Sequence, residues 1–196
     1  LNNLGGLHDH QGRMEEARKH FEAALTIIRE VGDPRLENYL LYSLGCLHCD
    51  QGQFEEARRH YVAALAIIRA IGNRPHEGFV LRGMGNLHRK QGQLEEARAH
   101  FESALAIDRE VGDRTSEGAV LGDLAELLLH RGQIGEAKKT LGEGEALLRE
   151  TGERPSELAK LLCTRGRAEV AASDLDLAHA ALSQAEAIAA QIGAGP

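Results

Sequence analysis

The hydrophobic positions of this chain recur at steps of three and four residues, which is the spacing of one face of an α-helix. Between residues 94 and 111 the stripe consists of Leu94, Ala97, Phe101, Ala104, Leu105 and Val111. An earlier stripe consists of Val80, Leu81, Met84, Leu87 and His88. The pair Gln91-Gly92 separates the two stripes, and glycine readily takes the left-handed conformation that ends a helix. The pattern therefore predicts a hairpin of two helices.

This hairpin pattern returns along the chain at a period of 40 residues. The segment Gln51-Gly52-Gln53-Phe54-Glu55-Glu56-Ala57-Arg58 is nearly repeated from Gln91 to Arg98, and a related copy begins at Gln11. A unit that recurs at such a period cannot bury its apolar face alone, so consecutive hairpins stack on one another. The predicted fold is all-α, an α-α superhelix of about five helical hairpins.

We expect a single array over residues 1–196 that is a fragment of a longer protein. Its repeats span approximately residues 1–32, truncated at the start, then 33–72, 73–112, 113–152 and 153–193. Glycine at positions 32, 72, 112 and 152 is expected to end each hairpin, and Asp33, Asn73 and Asp113 can cap the next helix.

Composition narrows the class of protein further. The formal charge of −7 is spread through mixed Glu/Arg segments, which gives no basic surface for a nucleic acid. No apolar run is long enough to cross a bilayer, and three cysteines without a regular spacing fit a reducing compartment. We therefore expect a cytoplasmic protein that associates with neither membrane nor nucleic acid. Abundant arginine and alanine suggest a bacterial source.

The repeat resembles the tetratricopeptide repeat (TPR). Leu81, Met84-Gly85, His88, Ala97, Phe101 and Ala104 fall at that family's spacing of Leu, Leu-Gly, aromatic, Ala, Phe and Ala. The usual repeat has 34 residues and a proline that closes the second helix, whereas here Arg109 takes that place and the helix is expected to continue to Val111. Such lengthened repeats are similar to those of kinesin light chains, Pins-type polarity adaptors and bacterial multidomain regulators.

The resemblance implies that the first helix of each repeat lines a concave face on which ligands lie. Carried over position by position, it gives a candidate partner site of Tyr39, Tyr42, Cys46, Cys49, Phe79, Arg82, Asn86, Arg89, Lys90, Glu126 and His130. Tyrosines supply contact area, and Arg82 or Arg89 can bind a carboxylate through two parallel hydrogen bonds. An extended or helical peptide with acidic residues would suit such a groove. The alternative is that these side chains are simply solvated.

Two other residue patterns suggest chemistry but have a plainer interpretation. His8, His48 and His88 recur at the repeat period, as do His20, His60 and His100. Equivalent imidazoles of stacked hairpins would lie about 8–10 Å apart or more, too far to share one zinc ion. Cys46-Leu47-His48-Cys49 is a C-x-x-C without the preceding strand of a redox motif. We therefore expect no metal, no cofactor and no catalytic residue, and hence no enzyme activity.

Three hypotheses for function follow from this pattern. The leading one is a non-catalytic scaffold that binds a peptide or a partner domain on its concave face. The second is a regulatory or sensor segment of a larger bacterial signalling or transcription regulator. The third is a structural module that forms a homo-oligomer by end-to-end stacking, because the ends of a repeat array expose apolar surface.

Overall fold

The computed structural model describes residues 14–152 and 154–193, and these residues form nine α-helices. In chain order they are α1 (Met14–Val31), α2 (Pro34–Asp50), α3 (Phe54–Ala70), α4 (Arg74–Lys90), α5 (Leu94–Val111), α6 (Arg114–His130), α7 (Ile134–Thr151), α8 (Pro155–Ala171) and α9 (Leu175–Gly193). The hairpins α2–α3, α4–α5, α6–α7 and α8–α9 correspond to the second to fifth predicted repeats. The predicted first helix of the first repeat, with His8, lies outside the described residues. As expected, α5 contains Arg109 and continues to Val111.

The chain divides into two compact units, residues 1–100 and residues 101–196. In the first unit, α1 packs on α2, α2 on α3, and α4 contacts both α2 and α3. Its core consists largely of leucine, alanine and aromatic side chains, among them Phe21, Leu41, Leu44 and Tyr61. In the second unit, α6 packs on α7, α8 contacts both, and α9 packs on α8. None of the helices described has the length and apolarity needed to span a membrane.

In the hairpins α2–α3 and α8–α9, a bulky side chain of the second helix lies against a glycine of the first helix. A Cβ atom added at Gly45 would lie 2.6 Å from the Cε1 atom of Tyr61, and one added at Gly166 would lie 2.8 Å from the Cδ2 atom of Leu182. These distances are shorter than a van der Waals contact, so any larger residue at either position would force the two helices apart. Glycine at these two positions therefore allows the two helices of each hairpin to approach closely.

An arginine near the end of α1, α3 and α5 binds a glutamate in the first turn of the helix that follows. The Nε atom of Arg69 donates to Glu77 Oε1 at 2.8 Å, and Arg29–Glu37 and Arg109–Glu117 repeat this bond at 2.8 and 2.7 Å. Burial alone would raise the pKa of Glu77, but Arg69 and Arg74 hold it below its usual value. Arg109, which replaces the usual proline, thus fixes the connection between successive hairpins.

The last connection departs from this rule because the fifth repeat has one extra residue in its connector. The extra residue puts Leu158 in register with the glutamates at 37, 77 and 117. Arg149 consequently donates to Glu145 at 2.9 Å and to Gln184 at 2.7 Å instead. The arginine stays in place, but its partner at this connection comes from its own helix and from α9.

A glycine in the left-handed conformation forms the turn between the two helices of a hairpin, with one exception among the hairpins described. Gly52, Gly92 and Gly132 have positive φ angles of 74°, 75° and 72°, as predicted for the residue that ends the first helix. In the fifth repeat Ser173 takes the same conformation with φ 64°. The left-handed conformation strains a residue that has a Cβ atom, so this turn is less favourable than its three counterparts.

We expect Ser173→Gly to raise the free energy of unfolding by about 0.5–1 kcal/mol, because glycine adopts positive φ without this strain while gaining some freedom in the unfolded chain. Urea denaturation followed by circular dichroism measures the change. The reverse substitution Gly132→Ser is the control and should destabilise the protein. A Ser173→Gly variant that is less stable than the unmodified chain would contradict the interpretation.

Three glycines within α7 provide a second stability test. Nothing lies within 4 Å of a Cβ atom added at Gly142, whereas one added at Gly144 would lie 2.9 Å from both Gly118 O and Leu161 Cδ1. We expect Gly142→Ala to stabilise the protein by about 0.5–1 kcal/mol through helix propensity. Gly144→Ala should destabilise it by about 1–3 kcal/mol through overpacking against a backbone carbonyl that cannot move freely. Thermal unfolding of both variants would check this opposite pair of effects.

Candidate functional site

Nine of the eleven predicted site residues lie on the two first helices of the first unit. Tyr39, Tyr42, Cys46 and Cys49 belong to α2, and Phe79, Arg82, Asn86, Arg89 and Lys90 belong to α4. The Nζ atom of Lys90 lies 2.5 Å from Asp50 Oδ1, one repeat earlier in the sequence. The helices α2 and α4 are therefore neighbours at this end. Tyr39 and Phe79, and likewise Cys46 and Asn86, are at equivalent positions of the two repeats.

The exposure of these residues separates the accessible ones from the buried ones. Tyr39 is 45% exposed, and Tyr42, Cys46, Phe79, Asn86 and Arg89 are partly exposed. Cys49 and Arg82 are only 4% and 8% exposed, so their side chains lie beneath this surface and are not accessible to a partner. Lys90 is exposed. We call the accessible set of Tyr39, Tyr42, Cys46, Phe79, Asn86, Arg89 and Lys90 the α2–α4 face.

A tyrosine pair supports the middle of the α2–α4 face. The rings of Tyr42 and Tyr61 are tilted by 47° with their centroids 6.0 Å apart. The hydroxyl of Tyr61 donates to Cys46 Sγ at 3.3 Å. A Cβ atom added at Gly83 would lie 2.9 Å from Tyr61 and 3.1 Å from Tyr42. The glycine on α4 therefore lets both rings fill the space between the helices, a contact that the sequence pattern did not reveal.

Both thiols of the C-x-x-C segment have raised pKa values. Burial raises the pKa of the Cys46 thiol, although the bond from Tyr61 acts in the opposite direction. Burial likewise raises the pKa of Cys49. Thiolate is the reactive form of cysteine, so a raised pKa disfavours redox or nucleophilic chemistry at both positions. All three cysteines of the chain are free.

Polar side chains occupy the carboxyl-terminal end of the α2–α4 face. Asn86 Nδ2 donates to the backbone carbonyl of Arg82 at 3.3 Å, and Arg89 donates to Asn86 Oδ1 at 3.2 Å. Together with the Lys90–Asp50 ion pair, these bonds hold two cations at one end of the face. The aromatic residues Tyr39 and Phe79 lie near the opposite, amino-terminal ends of their helices. The face is thus apolar at one end and cationic at the other.

The remaining predicted residues, Glu126 and His130, belong to α6 in the second unit. His130 is exposed, while Glu126 Oε1 pairs with Arg167 at 2.9 Å. On the same helix, Asp123 is 1% exposed and pairs with Lys160 at 2.7 Å. The first helices α6 and α8 are therefore linked by ion pairs at positions where α2 and α4 carry aromatic and polar groups.

An open cleft of about 170 Å³ lies between α7, α8 and α9 in the second unit. Its polar lining is already paired, because Arg149 and Arg165 both donate to Glu145, and Arg149 also donates to Gln184. A ligand would have to displace these bonds. None of the residues that line the cleft is aromatic, so it offers less of the side-chain type that dominates protein interfaces than the α2–α4 face does.

Histidines from the two recurring positions stack in pairs within one hairpin, an arrangement that their sequence spacing did not indicate. His48 of α2 stacks on His60 of α3, with centroids 5.1 Å apart and planes within 9° of parallel. His88 and His100 repeat this arrangement at 5.1 Å and 17°. His48 and His88 are buried, as predicted for residues in the family's aromatic slot. Within the described residues, no group of three or more metal-ligating side chains is present.

The model of the MalT-like TPR region matches residues 1–194 of the sequence. The chain belongs to this family. The TPR resemblance and the all-α fold of helical hairpins are thereby confirmed. No curated protein matches the sequence.

Solved structures place this MalT-like TPR region among other helical-repeat proteins. BtubC (BKLC) from P. vanneervenii is 20% identical, with 98% of this chain and 80% of that one covered and a TM-score of 0.73. A putative kinesin light chain from Podosopora anserina with nearly identical TPR-like repeats is 20% identical, covers 99% and 95%, and has a TM-score of 0.66. A Rap protein complexed with competence and sporulation factor is 17% identical, covers 95% and 52%, and reaches 0.81. At these identities the similarity shows the fold alone.

The packing beneath the α2–α4 face of this MalT-like TPR region is open to a direct test. We expect Gly83→Ala to lower the free energy of unfolding by about 1–3 kcal/mol, because the new methyl group would overlap the rings of Tyr61 and Tyr42. Near-ultraviolet circular dichroism should change as well, since the tyrosines must move.

Gly122→Ala on α6 is the matched control for Gly83→Ala. There the added Cβ atom would lie 3.5 Å from Leu161, an ordinary contact, so helix propensity should make this variant as stable as the unmodified chain or more so. Equal effects of the two substitutions on stability would show that the close contact at Gly83 does not matter.

Proposed function

We propose that this chain is a non-catalytic protein-interaction module that binds a peptide or a partner domain on the α2–α4 face. The observation that carries the proposal is the exposure of Tyr39 together with the partly exposed Tyr42 and Phe79 on adjacent first helices. Aromatic side chains supply much of the binding energy at protein interfaces because they bury a large area at a small cost in side-chain entropy.

The second unit supports the proposal by contrast. Its first helices direct Asp123 and Glu126 to Lys160 and Arg167, so their charges are already satisfied within the chain. A partner would have to break these pairs before it could use their charges, and Asp123 is only 1% exposed and so out of its reach. The α2–α4 face, where aromatic rings are partly exposed, offers apolar area that a partner can bury.

The polarity of the α2–α4 face suggests the chemistry of its partner. Arg89 and Lys90 lie at one end of the face, and Tyr39 and Phe79 at the other. A carboxylate of the partner can bind the guanidinium of Arg89 in two parallel hydrogen bonds. The partner is then a peptide segment that combines an apolar side chain with acidic residues. We place this interaction in the cytoplasm, where the three free thiols would stay reduced.

A regulatory or sensor segment of a larger bacterial protein is the second candidate. One of the similar structures is a Rap protein complexed with competence and sporulation factor, so that protein holds a bound factor. In a regulator of this kind, the α2–α4 face would bind either the signal or a neighbouring domain. The same residues would then be responsible for binding in both candidates.

Self-association through α9 is the third candidate, and its support is the exposure of this helix. Leu182 is 40% exposed, whereas the register-equivalent Tyr61, Phe101 and Leu141 are exposed by at most 1%. Leu175 and Ile192 on the same helix are 69% and 48% exposed. Apolar area of this kind is typical of a surface that packs on another chain.

A display library of random peptides, selected against the chain, provides probes for the α2–α4 face. We expect the dissociation constant of the selected peptides, measured by fluorescence anisotropy, to rise about tenfold or more for Tyr39→Ala and for Arg89→Glu. Added salt should weaken binding to the unmodified chain and have less effect on Arg89→Glu, because a charge pair is screened.

Two variants of α3 in the same unit are matched controls for these substitutions. Val62→Ala removes an apolar side chain that is 52% exposed, and Arg59→Glu reverses an exposed cation that lies 3.6 Å from Glu56. Neither should change the dissociation constant. Peptides that bind the Tyr39→Ala and Arg89→Glu variants as tightly as the unmodified chain would exclude the α2–α4 face as the site.

A further inference from the structure

The two stacked histidine pairs in the first unit have a common construction. His48 and His88 each stand five residues before a glutamine, Gln53 or Gln93, whose Oε1 atom lies 2.5 or 2.6 Å from the Nδ1 atom of the ring. The glutamine oxygen accepts a hydrogen bond from Nδ1–H, which leaves Nε2 as the unprotonated nitrogen of the neutral ring. The second histidine, His60 or His100, then stacks on this oriented imidazole.

This construction fits neutral imidazoles and opposes full protonation. Two imidazolium rings stacked at 5.1 Å would repel each other, and partial burial prevents water from screening that repulsion. Burial lowers the pKa of His60, and the charge of His48 lowers it further. Burial and the charge of His88 act on the pKa of His100 in the same direction.

Other charged groups also face these rings. Glu22 and Arg29 of α1 and Glu56 of α3 act on His60; the two glutamates favour its protonation and the arginine opposes it. Their effects are smaller than that of burial and that of His48, so the pKa of His60 stays below its ordinary value. At His100 the charged neighbour that acts on the ring is His88.

The pairs are adjacent to the contacts that support the α2–α4 face. His60 directly precedes Tyr61, whose ring fills the space at Gly45 and whose hydroxyl binds Cys46. His48 follows Cys46 by two residues on α2, and His88 directly precedes Arg89 on α4. If repulsion between the rings separates α2 from α3, Tyr61 must leave the position in which it supports Tyr42 and Cys46.

We propose that the stacked pairs His48–His60 and His88–His100 are a pH-sensitive switch, which loosens the first unit and releases a partner from the α2–α4 face under mildly acidic conditions. The loosening depends on the histidines alone. The release of a partner rests in addition on the function proposed above, and the two parts are tested separately.

The direction of the effect follows from proton linkage. Well above the ordinary histidine pKa of 6.5, His60 and His100 are neutral in both the closed and the opened state, and pH has no effect through them. As the pH falls through that value, the opened state takes up protons before the closed state does. Opening therefore becomes more favourable from about neutral pH downwards.

The second unit is an internal reference without stacked histidines, and it indicates which residue can replace histidine in a variant. In the fourth repeat, Leu128 and Thr140 occupy the positions of His48 and His60, so the repeat folds without an imidazole pair. The double variant His60→Thr/His100→Thr therefore introduces a residue that the chain itself uses at this position. It removes both pairs while keeping a side chain that is compatible with the hairpin.

Hydrogen exchange followed by mass spectrometry, at pH 7.5 and pH 5.5 and corrected for intrinsic exchange, tests the loosening in the full chain. We expect α2 and α3 to lose about tenfold more protection at the lower pH than α7 and α8 do. In the double variant this difference should disappear. An equal loss in both units of the unmodified chain, or the same loss in the variant, would overturn the proposal.

Nuclear magnetic resonance titration of the histidine rings keeps the proposal testable if the double variant does not fold. In the unmodified chain, His60 and His100 should titrate below the ordinary histidine pKa of 6.5. Titration of both rings at or above that value would overturn the switch.

Peptides obtained by display selection test the release, provided that they lack histidine. Their dissociation constant for the unmodified chain should rise between pH 7.5 and pH 5.5 in inverse proportion to the fraction of the chain that stays closed, and it should change much less for the double variant. Loosening at pH 5.5 with unchanged affinity would refute the link to the α2–α4 face while leaving the switch itself in place. A failure to select any peptide would count against the proposed function and would not affect the exchange result.

Discussion

The fit of Tyr61 into the space above Gly45 determines most of what the first unit presents to its surroundings. Because glycine lacks a side chain, the ring can lie where a Cβ atom would be only 2.6 Å away, and α2 and α3 approach closely. Gly83 of α4 makes room for the same ring and for Tyr42. One side chain thus joins three helices, and its hydroxyl binds Cys46 on the α2–α4 face.

This arrangement connects the interior of the first unit with its surface chemistry. Burial raises the pKa of Tyr61, so its hydroxyl remains a hydrogen-bond donor at physiological pH. The neighbouring residue, His60, stacks on His48 across the same helix pair. An imidazole whose pKa is lowered by burial therefore lies next to the contact that positions the accessible aromatic residues.

The two units present different surfaces on the same type of helical hairpin. Both place bulky second-helix residues against small residues, as Gly45 with Tyr61 and Gly166 with Leu182 illustrate. The first unit then adds aromatic and imidazole groups, whereas the second adds ion pairs such as Asp123–Lys160 and Glu126–Arg167. The repeat supplies a common framework, and the residues that vary between copies give each unit its own surface.

Sequence periodicity was sufficient to predict the helical hairpins and the glycine turns within them. These features depend on neighbours three or four residues apart and on the 40-residue period, and both spacings are visible in the sequence around residues such as Leu81, Gly92 and Phe101. The capping of α2 by Asp33 and the extension of α5 to Val111 were predictable for the same reason.

Only the tertiary structure decided which candidate residues are accessible and which of them interact. The burial of Arg82 and Cys49, the pairing of Glu126 with Arg167 and the stacking of His48 on His60 all depend on side-chain directions and on contacts between different helices. A repeat period relates equivalent residues to each other, but His48 and His60 are not equivalent. The sequence by itself therefore determined the helical hairpin, while packing between helices determined which side chains are accessible. The reason is that accessibility depends on the side chains that cover a residue, and the spacing of residues in the sequence does not specify these.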